Sequence, residues 1–72
     1  MAQLTHTEYD ALERSIIDRR RIAIFRRGTE YLVVPLALRM SSGRELIEAT
    51  HPTTGEDISF YIDEVDSIQV VS

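Results

Sequence analysis

Cysteine and lysine are both missing from this 72-residue chain, and glycine and proline are scarce, at three and two residues. Without cysteine there is neither a disulfide framework nor a thiolate metal site to supplement a small core, so apolar packing must hold the fold. The longest apolar run, Tyr31 to Leu38, is eight residues, far short of the roughly 18 to 20 that cross a bilayer as a helix. Met1-Ala2-Gln3-Leu4 lacks the basic-then-apolar order of a secretory signal, so a cytoplasmic location and no membrane partner are expected. All eight basic residues are arginine. Arginine forks suit phosphate and carboxylate better than lysine does, although so uniform a choice reads first as a compositional bias of the source genome. A net charge of −4 speaks against a general polyphosphate binder, while leaving room for a local basic patch.

What is present is ordinary globular material. With 43% hydrophobic and 28% charged residues, the chain is too apolar to be disordered and its length suits one domain, 1–72. A chain this short buries only about 60% of its unfolded surface. The segment from Arg44 to Val65 reads as two strands about a reversal, because Thr50 to Glu56 gathers Pro52, two threonines and Gly55. Leu46, Ile47 and Ala49 precede the reversal; after it Ile58, Phe60 and Ile62 alternate with Ser59, Tyr61 and Asp63, which puts three large apolar groups on one face.

Upstream, Thr5 followed by Glu8 is a capping box, flanked by Leu4 and Tyr9 as a staple, and predicts an amphipathic helix over about 5–18. Tyr9, Leu12, Ile16 and Ile17 are expected to share its buried face, with Asp10 and Arg14 paired four residues apart. Ile22 to Phe25 reads as a first strand and Tyr31 to Leu38 as a second, joined at Gly28. Leu32, Val34, Leu36 and Leu38 fall on one side with period two, and Pro35 implies a bend, a bulge or an edge. Met40 to Gly43 makes the next turn. Asp63 to Asp66 suits a single helical turn, and Ser67 to Val71 a fifth strand. The prediction is a mainly β chain: a five-stranded SH3-like or Sm-like barrel over about 20–71, capped by the N-terminal helix.

The catalytic inventory is thin. His6 and His51 have no serine, carboxylate or second imidazole at a recognisable spacing, and His51 before Pro52 reads as a turn residue. Zinc would want more histidine or cysteine. Glu56, Asp57, Asp63, Glu64 and Asp66 lack the alternating-ligand loop that calcium needs and read as a solvated surface. No enzyme, metal or cofactor is therefore expected. Arg19, Arg20 and Arg21 with Arg26 and Arg27 form the one local excess of a single sign, and folding would bring Arg39 and Arg44 nearby. With Phe25, Tyr31 or Tyr61 as stacking platforms, such a cluster suits a nucleotide or a single-stranded nucleic acid. The competing account pairs these arginines with the twelve carboxylates of the chain as a solubilising surface.

Several segments carry a family likeness. A short helix leading into Arg21-Ile22-Ala23-Ile24-Phe25-Arg26, then Val33-Val34-Pro35-Leu36-Ala37-Leu38, Gly43-Arg44-Glu45-Leu46-Ile47-Glu48-Ala49 and Phe60-Tyr61-Ile62-Asp63-Glu64-Val65 resembles a compact WYL domain, the Sm-like module of bacterial transcription regulators. The triplet that names that family falls here on Glu45, Leu46 and Ile47, and its ligand-holding basic positions on Ile58, Tyr61 and Glu64. A second resemblance, through Tyr9-Asp10-Ala11-Leu12-Glu13, Gly55-Glu56 and Ile62 to Ile68, is to the Rof family of Rho inhibitors. The first implies a regulatory ligand- or nucleic-acid-binding module in transcription control, for which Arg26, Arg27, Arg39, Arg44 and Tyr61 are the candidate ligand residues. The second implies a protein-interaction module, an acidic inhibitor of a basic RNA-binding partner that would use Glu8, Asp10 and Glu13. A self-assembling barrel belongs to the same interaction class.

Overall fold

Residues 4–71 are described by a computed structural model. Helix α1 (His6–Asp18) begins as its capping box dictates: the Glu8 N–H donates to the Thr5 hydroxyl at 3.1 Å and the Thr5 N–H to the Glu8 carboxylate at 3.0 Å. These bonds satisfy two donors that a helix start otherwise leaves open. The helix ends on Arg19, left-handed at φ 56°, whose N–H returns to the Ser15 carbonyl. Leu12 and Ser15 are buried, with Tyr9 and Ile16 half-buried beside them. Ile17, expected on this face, is instead 79% exposed. It lies five residues past Leu12, about 140° around the helix, and the small Ser15 takes the inward position. The expected Asp10–Arg14 pair is also replaced, since Asp10 meets His6 at 3.4 Å, likewise four residues away.

Five strands follow: β1 (Ile22–Arg26), β2 (Thr29–Ser41), β3 (Arg44–Thr50), β4 (Asp57–Tyr61) and β5 (Ser67–Val70). They form one antiparallel sheet in the order β4-β3-β2-β1-β5. The expected helical turn between the last two strands is a 3-10 turn at Ile62–Glu64. Two hairpins close through two residues each, Arg27-Gly28 at φ 51° and 77° and Ser42-Gly43 at φ 53° and 77°. Positive φ at both central positions gives the turn whose twist matches the strands it joins.

β2 is the element that bends the sheet. Its residues 29–33 pair with β1 and its residues 34–41 with β3, and the register shifts between Pro35 and Ala37. Leu36 is the extra residue of this bulge, which falls where proline has no N–H to give a ladder. An extra residue inverts the in–out alternation, so Val33 and Pro35 before the bulge and Leu38 after it all face the core. The simple period-two series from Leu32 to Leu38 therefore does not hold, and Leu32 is 40% exposed.

The core joins Leu12 of the helix to Ile22, Ile24, Val33, Ile47, Ala49, Phe60, Val65 and Ile68. The two edges of the sheet are managed differently. α1 packs against β5, and the outer Ile68 N–H donates to Glu8 Oε2 at 3.0 Å. β4 packs chiefly on β3. Among the described residues, no helix is long and apolar enough to cross a membrane.

Candidate functional site

The β3–β4 hairpin fixes the first part of the site through its register. Leu46 lies opposite Tyr61 on β4 and opposite Arg39 on β2, so Arg39, Leu46 and Tyr61 form one row across three strands. That row is on the face opposite Ile47 and Phe60, which are buried. One step further out, the Arg44 guanidinium lies 3.7 Å from the Tyr61 ring centre. It is also gripped from the 3-10 turn, donating to Asp63 through Nε at 3.0 Å and Nη2 at 2.7 Å, and to Glu64 at 3.3 Å. A fork-to-carboxylate contact of this kind fixes the plane of the guanidinium as well as its position. Each partner favours the charged form of the other: the hydrogen bonds from Arg44 hold the Asp63 carboxyl below its usual range, and Asp63 raises the Arg44 guanidinium further.

Arg26 approaches the same turn from the other face. Its guanidinium carbon lies 5.1 Å from the Tyr31 ring centre and 5.3 Å from that of Phe60, and its Nη2 donates to the Tyr31 hydroxyl at 3.2 Å. Tyr31 meets Phe60 edge-on at 5.1 Å between centroids. Glu64 joins the two arginines, with Arg26 at 4.0 Å and Arg44 at 3.3 Å. The result is a strip in which the Arg44 guanidinium lies on the Tyr61 ring and that of Arg26 lies beside Tyr31 and Phe60, while Asp63 and Glu64 balance their charge.

Four of the five expected ligand residues lie around one end of β4. Arg26 and Arg44 are joined through Glu64, Tyr61 lies under Arg44, and Arg39 extends the Tyr61 row while holding Glu48 at 2.9 Å. Arg27 stands apart at the tip of the first hairpin, where its backbone N–H donates to Asp66 at 3.1 Å. The acidic trio separates. Glu8 is committed to Thr5 and Ile68, Asp10 is paired with His6, and Glu13 is exposed. His51 is a turn residue as expected: its Nδ1 accepts from the Thr53 N–H at 3.3 Å, and its carbonyl from the Gly55 N–H at 2.9 Å.

Asp63 and Glu64, expected as a solvated surface, instead hold Arg44 and set the charge of this site. The signal was present, because extending a hairpin in which residue 46 faces residue 61 places residue 44 opposite residue 63. Comparison of the chain with protein-family models, with curated proteins and with solved structures finds no match.

Proposed function

We propose that this protein is a non-enzymatic binding module whose working surface is the strip formed by Arg39, Tyr61, Arg44 and Arg26. Its ligand is a nucleotide or a short single strand. The observation that carries this reading is the stack of the Arg44 guanidinium on Tyr61, which offers a base a flat cationic platform beside a phosphate-binding fork. Arg39 on the same face and Arg26 around the turn would follow a backbone. Asp63 and Glu64 occupy the arginines in the free protein, so an incoming phosphate must displace a carboxylate, and binding is expected to be weak and steeply salt-dependent. A role in transcriptional or nucleic-acid-linked control follows from the WYL-type resemblance alone.

The test is fluorescence anisotropy with labelled oligonucleotides at low salt. Saturable binding is expected, weakened about tenfold by Tyr61→Ala, as loss of one stacked base implies, and strengthened by the double variant Asp63→Asn, Glu64→Gln. Binding that is absent, or indifferent to both changes, overturns the proposal.

A second reading, a protein-interaction module, rests on a different observation. Among the described residues β4 is an edge strand paired with β3 alone, and such an edge is a template for another strand.

A further inference from the structure

The β3–β4 ladder determines which backbone groups of β4 are free to pair. The His51 N–H donates to the Glu56 carbonyl at 2.9 Å, and in an antiparallel ladder such bonded pairs alternate with unbonded ones. In this register Ala49 with Ile58 and Ile47 with Phe60 are therefore the bonded pairs. Asp57 and Ser59 turn their N–H and C=O groups to the outer edge, and Tyr61 turns its N–H there, while its carbonyl opens the 3-10 turn. The opposite edge of the sheet is already covered by α1, with Glu8 holding the Ile68 N–H, so β4 is the edge available to a partner strand.

We propose that β4 pairs with β4 of a second copy of this chain, antiparallel and centred on Ser59, to give one continuous sheet across a two-fold axis. This deepens the protein-interaction reading and commits it to one occupant. The strand is self-complementary in that register. Ser59 faces Ser59 of the second copy, Asp57 faces Tyr61, and Ile58 faces Phe60, so no like charges lie opposite one another and the apolar side chains meet on one face. Ser59 with Ser59 supplies two backbone hydrogen bonds and each Tyr61 N–H one more to Asp57 of the second copy, about four in all. Arg44, stacked on Tyr61, would stand close to Asp57 of the second copy and add charge complementarity on both sides of the axis. A short contact of this kind belongs with weak, concentration-dependent interfaces.

Sedimentation equilibrium of the full chain up to about 1 mM, where weak contacts become populated, tests the proposal. The wild type is expected to approach the mass of two chains, and Ser59→Pro to remain at the mass of one. Proline there removes a donor from the outer edge only, and a strand edge tolerates it, so the far-UV spectrum should stay native. Should Ser59→Pro fail to fold, Ser59→Lys serves as the second variant, since it places two ammonium groups opposite each other across the axis. A wild type that stays monomeric, or a dimer that survives in a folded Ser59 variant, overturns self-pairing. The wider interaction reading fails separately, if no protein captured by the wild type is lost with a folded Ser59 variant.

Discussion

Glu8 is the residue through which the helix start and the sheet edge depend on each other. Its carboxylate accepts from the Thr5 N–H and from the Ile68 N–H, both at 3.0 Å. Glu8→Ala leaves the first donor with half a capping box and the second on an uncapped strand edge. Capping interactions contribute about 0.5–2 kcal/mol and a hydrogen bond to a charged group about 1.5–3 kcal/mol. The half-exposed position screens the charge, so we take about 2 kcal/mol for the two together. In a domain this small that loss lowers Tm by roughly 8–16 °C. The bonds from Thr5 and then Ile68 hold the Glu8 carboxyl below its ordinary 4.5. A depressed folded-state value means that the contribution is complete above that ordinary value and disappears as pH falls through the lower one. Urea unfolding followed by far-UV circular dichroism, at neutral pH and stepwise into the acid range, measures both effects. Glu8→Gln keeps an acceptor but cannot titrate, so it should flatten part of the acid limb. A loss below about 0.5 kcal/mol in Glu8→Ala, the range of ordinary surface changes, or an unchanged acid limb in Glu8→Gln, would refute the reasoning.

Three further outcomes follow from the packing. Leu12→Ala should cost about 2–5 kcal/mol by opening a cavity in the core, whereas Ile17→Lys, on the exposed side of the same helix, should stay within about 0.5 kcal/mol of wild type in the same unfolding assay. Among the described residues the buried Ser15 hydroxyl has no hydrogen-bond partner, so Ser15→Ala should be neutral or stabilise by up to about 1 kcal/mol. Tyr9 donates its hydroxyl to Glu45, and this bond with the nearby carboxylate raises the phenol to about 12. In an ultraviolet titration a phenol step near 12 should be present and should vanish in Tyr9→Phe, and the stability this bond adds should be complete below the ordinary 10.0 and be lost as pH rises from there through about 12.

How much was legible in the sequence depended on the range of the interaction. Thr5 and Glu8 lie three residues apart and act through local backbone geometry, so the helix start could be read directly, as could the turns at Gly28 and Gly43. The five strands emerged from β-branched and aromatic runs between turn residues. Apolar character alone does not say which of two adjacent residues faces inward, and α1 places Ser15 on its buried side and Ile17 outward. The alternation in β2 failed at Leu36 because one inserted residue reverses the phase, and although Pro35 announced an irregularity it did not say which kind. The contacts between the helix and the sheet were not readable: Glu8 with Ile68 and Tyr9 with Glu45 exist only once α1 lies across the sheet. At the candidate site the arginines and Tyr61 were legible, but the near-neutral charge of the strip comes from Glu48 on Arg39 and from Asp63 and Glu64 in the 3-10 turn, which an extended hairpin register brings to Arg44.

The most direct test of the account is a residue-resolved amide chemical-shift map of the protein titrated with a short single-stranded oligonucleotide at low salt. Progressive shifts confined to Arg26, Arg39, Arg44, Tyr61 and the turn at Ile62–Glu64 are the predicted result. A spectrum that does not move, or one that moves on α1 while this strip stays still, would contradict it.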